Sequence, residues 1–247
     1  MKKNFLLILV FILLSTSLVF SQNIGRVRSR NFINQNWYIN INYGSLLFYG
    51  DIKQYDFYPV EQERKWGYGV IFGKSFNQTF SLQGQIISGE LAGINRKKDR
   101  QFNADILEYS LNAVFDFTDM FCFLLLNKID NSPKKVKLYA YIGAGYIDFR
   151  SILKTYNNEE FVAAEGYSNN GTVSEKMTTE LIIPVGIGLN FRLSRALSFN
   201  IEGSFRNVNT DKLDVTVVPN SSKDKYEYFS LGLKYKFNLA KGYKTQL

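Results

Sequence analysis

From Tyr226 to Phe237 the chain alternates without interruption. Phe229, Leu231, Leu233, Tyr235 and Phe237 fall on one face; Tyr226, Tyr228, Ser230, Gly232, Lys234 and Lys236 fall on the other. A period of two describes an extended strand with one apolar and one mostly polar face. A half-buried strand of a soluble protein alternates over about four to eight residues. A run of 12 residues that ends on aromatics instead suits a strand crossing a bilayer, which needs about 9–11 residues with aromatic side chains at the interface.

Seven earlier segments repeat the pattern: Trp37–Tyr49, Trp66–Phe76, Phe80–Leu91, Phe102–Phe117, Val136–Lys154, Thr179–Leu193 and Leu197–Thr210. In the first, Trp37, Ile39, Ile41, Tyr43 and Leu47 oppose Tyr38, Asn40, Asn42 and Gly44. In the fifth the register is ambiguous, because Tyr139 and Tyr141 alternate with Leu138, Ala140 and Ile142. Asn77-Gln78-Thr79 and Ser194-Arg195-Ala196 are tight turns, whereas Gly50–Lys65, Asn95–Arg100, Tyr156–Thr178 and Asp211–Lys225 are long or charged. The pattern predicts an all-β fold, an eight-stranded antiparallel up-and-down transmembrane β-barrel over residues 37–237. An even strand number returns both termini to one side, and short turns belong in the periplasm. Both termini are therefore expected in the periplasm. A soluble lipocalin-like barrel inverts the faces. Aromatics on one face, with glycine and charge on the other, favour the membrane form.

Lys2 and Lys3 precede an apolar run, Phe5–Leu14, and Val19-Phe20-Ser21 offers small-residue cleavage. Residues 1–21 thus read as a signal peptide, 22–36 as a periplasmic lead-in bearing Arg26, Arg28 and Arg30, and 238–247 as a periplasmic tail. A retained anchor is the alternative, but the apolar run is short for one. Cys122 is the only cysteine, so no internal disulfide forms. The net charge of +8 would suit nucleic acid on composition alone. An exported chain with alternating aromatics instead points to outer-membrane lipid and lipopolysaccharide as acidic partners.

Ser230-x-Gly232-Leu233-x-Tyr235-x-Phe237 resembles the terminal strand read by the barrel-insertion machinery of outer membranes, which implies an assembly signal at Gly232, Tyr235 and Phe237. Tyr49-Gly50-Asp51-Ile52 and Asn209-Thr210-Asp211-Lys212-Leu213-Asp214 are similar to short motifs of OmpA-type outer-membrane barrels common in Bacteroidota, including ones attached to type IX secretion. The resemblance spans Trp37–Phe237 and lacks the peptidoglycan-binding domain of full-length relatives, so cell-wall anchoring is not implied.

The chain contains no histidine. A serine nucleophile needs an adjacent base at neutral pH, and outer-membrane lipid-modifying enzymes resemble one another in using a histidine for it. Histidine metal sites are excluded and one cysteine cannot form a thiolate cluster, so no cofactor is expected. Glu108, Asp116, Glu180, Arg192, Glu202, Arg206, Lys234 and Lys236 are expected on the inner face. An eight-stranded barrel is just wide enough for side chains to fill it. Glu108, Arg192, Glu202, Arg206 and Lys234 are read as a polar network pairing across neighbouring strands. Thr118–Lys135 is long for a periplasmic turn and carries Phe121, Leu124 and Leu125. These are candidates for docking another envelope protein. The expected role is a non-catalytic structural or accessory subunit of an envelope assembly, of the secretion or biogenesis type. A narrow ion channel or small porin is the alternative, and a lipid-modifying enzyme the third.

Overall fold

The computed structural model describes residues 37–53, 60–118, 134–167, 177–216 and 223–237. The expected signal peptide, lead-in and tail lie outside these residues, as do Phe121, Leu124 and Leu125. The strands are β1 Trp37–Tyr49, β2 Lys65–Ser75, β3 Phe80–Asn95, β4 Arg100–Asp116, β5 Val136–Lys154, β6 Phe161–Glu165, β7 Thr178–Arg192, β8 Leu197–Val208 and β9 Lys225–Phe237. Eight of them close a ring of antiparallel neighbours, β1-β2-β3-β4-β5-β7-β8-β9, with β9 returning to β1. The expected barrel is thus present, and closure leaves no open edge in the ring. The short β6 pairs only with the end of β5, so part of the expected Tyr156–Thr178 loop is a strand.

The tight turns form where the sequence supplies a side-chain acceptor. Asn77 Oδ1 accepts from the Thr79 and Phe80 amides at 2.9 and 2.6 Å. Ser194 Oγ accepts from the Leu197 amide at 3.0 Å. These turns share one end of the barrel with Trp37 and Phe237, which face each other in register. We call this the terminal end and its opposite the loop end.

β3, β4 and β5 run to 16, 17 and 19 residues, well beyond the 9–11 or so that a bilayer requires. The surplus has its own logic. Along β4 from the loop end, the inward residues are Phe102, Ala104 and Ile106, then Glu108, Ser110 and Asn112. The outward residues over the same stretch are Asn103 and Asp105, then Leu107, Tyr109 and Leu111. Both faces change character at Ile106–Leu107. β5 changes at Tyr146–Ile147: outward Ile142 and Tyr146 give way to Asp148 and Arg150, while inward Gly143 and Gly145 give way to Ile147 and Phe149. β1 and β9 do the same, with Leu46 and Phe48 above Asn42, and Glu227 above Phe229.

Apolar residues turn away from water in both halves. Toward the terminal end the outer face is a belt of exposed Ile41, Leu111, Ile187 and Leu233, which only hydrocarbon tolerates. Stacked pairs edge this belt, Tyr43–Trp66 (5.3 Å) toward the loop end and Trp37–Phe72 (5.2 Å) toward the terminal end. At the loop end the wall is polar outside. Its interior is a packed core of Leu46, Phe48, Ile87, Leu91, Phe102 and Phe149, with Phe48 and Phe102 edge to face at 4.6 Å. The expectation of one apolar outer face along each strand is corrected accordingly.

Candidate functional site in the lumen and its lid

Below the apolar core stands an ion pair. Arg206 of β8 donates through Nε to Glu108 Oε2 of β4 at 3.0 Å, both side chains 0% exposed. Tyr226 OH donates to the same oxygen at 2.6 Å, and Arg206 Nη1 donates to the Ser204 carbonyl at 3.3 Å and to its hydroxyl. The guanidinium also lies over the Tyr228 ring, 5.3 Å from its centroid. An isolated buried ion is very costly, so each charge meets its counter-ion and further hydrogen-bond partners, although Arg206 Nη2 has none among the described residues. The sequence predicts pairing with neighbouring strands. Arg206 instead faces Pro184 on β7 and Tyr226 on β9. Neither offers a carboxylate, so its long side chain crosses the lumen to β4.

Glu202 is likewise not salt-bridged to Arg192 or Lys234. It accepts from Tyr139 OH at 2.9 Å and from Tyr141 OH at 2.8 Å. This settles the ambiguous fifth strand: Tyr139 and Tyr141 point inward because each ring fills space while its hydroxyl meets a carboxylate. The Lys234 ammonium stands over Tyr38 (4.7 Å) and Tyr139 (5.2 Å), and Tyr38 OH donates to Gln83 at 2.9 Å. Between the Glu108 and Glu202 layers, Asn112 donates to Gln85 at 3.0 Å and Tyr228 OH to Asn42 at 2.9 Å. Arg192 is exposed at the terminal end, donating to the Ser194 carbonyl. The structure therefore joins Glu108 to Arg206 and sets Glu202 near Lys234 through a shared tyrosine, but leaves Arg192 at the mouth. Alternation puts Tyr38, Tyr226 and Tyr228 on the inner face without assigning them to the polar network, and leaves Tyr139 and Tyr141 ambiguous; all five hydroxyls donate within it.

The loop end is covered by two segments distant in sequence. Ile52 and Leu213 insert into the apolar core at 2% and 0% exposure. The Ile52 amide donates to Asp214 Oδ2 at 3.2 Å, and the Leu213 amide to Asp224 Oδ2 at 2.9 Å. Ser151 Oγ donates to the Leu213 carbonyl at 2.6 Å. The Tyr49–Ile52 and Asn209–Asp214 motifs thus meet as one lid, latched by two carboxylates. Burial, reinforced by the Asp214 charge, pushes Asp224 up to about 8. Burial pushes Asp214 up to about 6, against the pull of the Thr216 and Ile52 amides. Among the described residues, no group of three or more His, Cys, Asp or Glu is placed to hold a metal ion.

Gly232 faces the lumen beneath the Asn200 and Asn40 side chains. Tyr235 and Phe237 face outward at the terminal end with centroids 6.3 Å apart, and Phe237 lies 6.4 Å from Phe72.

A family model described as outer membrane protein beta-barrel domain matches residues 11–237. Comparison with curated protein sequences finds no match. Among solved structures, the chain is similar to Ail, the attachment invasion locus protein of Yersinia pestis, at 14% identity and a TM-score of 0.47, covering 82% of this chain and 99% of Ail. It is similar to Neisserial surface protein A at 10% identity and a TM-score of 0.46, covering 81% and 97% of the two chains. It is also similar to outer membrane protein OprG from Pseudomonas aeruginosa, at 11% identity and a TM-score of 0.44, covering 82% and 96%.

Proposed function

We propose, for a chain that belongs to the outer membrane protein beta-barrel domain family, a non-catalytic and non-conducting role as a structural or accessory subunit of an envelope assembly, of the secretion or outer-membrane biogenesis type. The carrying observation is the filled lumen. The fully buried Arg206–Glu108 pair and its tyrosines lie beneath a packed apolar core, and the Ile52–Leu213 lid lies above it. A hydrated ion would have to displace both charged partners and then cross side chains that offer it no ligands. The absence of histidine in the chain supports the non-catalytic part, since a serine nucleophile here would lack its usual base.

In this reading both termini and the Thr118–Lys135 connection are periplasmic, and Phe121, Leu124 and Leu125 dock a second envelope protein. Planar-bilayer recording of the purified barrel is expected to show no discrete conductance steps. Steps that persist after repurification would overturn the non-conducting role. Replacing Phe121, Leu124 and Leu125 with serine is expected to remove co-purifying envelope proteins while insertion stays intact. Unchanged co-purification would remove the docking role. A lipid A deacylation assay is expected to be silent, and turnover would return the barrel to the enzymes.

A further inference from the structure

The terminal mouth of the lumen holds more cationic than anionic groups. Inward positions bring Lys137 of β5, Arg192 of β7, and Lys234 and Lys236 of β9 to this end. Arg192 and Lys234 flank Ser198 of β8, each in register with it. Lys234 and Lys236 share one face of β9, about 7 Å apart along the strand. Lys234 lies within electrostatic reach of Lys236, Lys137 and Asp116, and Lys236 within reach of Lys137, Arg192 and Asp116. Asp116 is already engaged, holding Lys137 at 2.6 Å and the Thr118 amide at 3.0 Å. Glu202, at the floor, is engaged by two tyrosine hydroxyls. Arg192 spends only its Nε, on a carbonyl, and Lys234 meets aromatic faces. Lys236 has no side-chain hydrogen bond among the described residues and is half-buried. Above the floor the Arg206–Glu108 pair closes the lumen, so the mouth is a blind well and not an entrance to a path.

Three cations with no salt bridge to a carboxylate among the described residues, Lys234 and Lys236 in the wall and Arg192 exposed at the mouth, repel one another and focus a positive potential outward. One guanidinium and two ammonium groups present separate donors to the oxygens of a tetrahedral anion, and the guanidinium fork matches two of those oxygens at once. We infer that the terminal mouth is a binding well for a phosphate group, held by Arg192, Lys234 and Lys236, with the Lys137–Asp116 pair at its rim. The phosphate comes either from solution or from a lipid head group, because the mouth lies level with the Trp37–Phe72–Phe237 aromatic girdle.

The test is site-resolved lysine reactivity. The barrel in maltoside micelles, which carry no phosphate, is titrated with inorganic phosphate, with chloride at matched ionic strength as control. Acylation of each lysine is then read by mass spectrometry. Saturable protection of Lys234 and Lys236 is expected, while Lys97 and Lys98, exposed at the loop end, keep their reactivity. Arg192→Gln or Lys236→Gln is expected to raise the half-protection concentration at Lys234 about tenfold, the weight of one charge-assisted hydrogen bond. A second arm uses phosphatidylglycerol nanodiscs without free phosphate. Protection there assigns the phosphate to a head group, and protection only by the free anion assigns it to solution. No protection in either arm, equal loss at Lys97 and Lys98, or half-protection untouched by both substitutions would overturn the well. The wild-type titration stands without any variant, so a folding failure does not shield the inference.

Discussion

Substituting Glu108 with glutamine tests whether the lumen is held by a compensated charge pair or merely by volume. The side chain keeps its shape and can still accept from Tyr226. What is lost is the negative charge 3.0 Å from Arg206 Nε, in a place where both partners are 0% exposed. Arg206 keeps the Ser204 carbonyl and hydroxyl and the ring faces of Tyr226 and Tyr228, none of which carries charge. Leaving one buried ion unpaired costs about 3–5 kcal/mol, whereas replacing both partners with apolar groups of similar size is often near neutral. Glu108→Gln is therefore expected to lower unfolding free energy by about 3 kcal/mol. Glu108→Met with Arg206→Met restores most of it. The remaining deficit is about 1–2 kcal/mol, from the Tyr226 hydroxyl left without its acceptor. Urea unfolding of the barrel in lipid vesicles reads this directly. Trp37 and Trp66 are the only tryptophans, sit in the two outer girdles and lose their lipid environment on unfolding. A single-variant loss below about 1 kcal/mol, or a double variant no better than the single, would refute the reasoning.

Three further outcomes are expected. The lid should loosen as pH rises: Asp214 and Asp224 have folded values of about 6 and about 8 against 3.8 unfolded. The folded state then holds more protons between those limits, and its stability is complete below about 4 and falls as pH climbs to about 8. Hydrogen exchange at the Ile52 and Leu213 amides, corrected for intrinsic rate, should accelerate through that window, and Asp224→Asn should flatten its upper part; a pH-independent corrected rate would count against the latch. A Cβ at Gly44 would overlap the Phe229 carbonyl, whereas one at Gly203 meets nothing nearer than Phe229 Cδ2 at 3.7 Å. Gly44→Ala should thus cost about 1–3 kcal/mol in the same urea assay while Gly203→Ala is neutral, and equal effects would contradict the lumen geometry. Ending the chain after Lys236, which removes Phe237 from the expected assembly signal, should reduce the amount inserted in the outer membrane, as measured by fractionation; normal insertion would discard that signal.

The strand count and the outward belt were legible because lipid on one side and a packed lumen on the other impose period two over long stretches. The lid was not. Ile52 and Asp214 are 162 positions apart, and no local pattern reports that two loops meet, even though both motifs were visible as motifs. Nor does alternation reveal how a lumen cation finds its partner: Arg206 and Glu108 are 98 positions apart and on strands that do not touch. The inward direction of Tyr139 and Tyr141 was hidden for a different reason. A ring with a hydroxyl suits either face, and for this pair the Glu202 carboxylate opposite decides.

The change of face within single strands was present in the sequence and had a specific signature. In β4 the outward apolar series begins at Leu107, although the strand begins at Arg100. The residues before it, Phe102, Ala104 and Ile106, are apolar on the opposite parity. Read as one pattern, they look like noise at a strand end. Read with the solvent in mind, they mark where the outer environment changes from hydrocarbon to water, since burial of apolar area drives both halves and only the dry side moves. The same switch occurs at Tyr146–Ile147 in β5 and between Glu227 and Phe229 in β9. Arg100–Ile106 alone then spans roughly 20 Å of strand standing clear of the membrane. That segment follows soluble-barrel logic and has its own core, while the segment beneath it follows membrane logic. A soluble and a transmembrane reading of this chain are therefore not rivals over the whole barrel, because each holds on its own side of the switch.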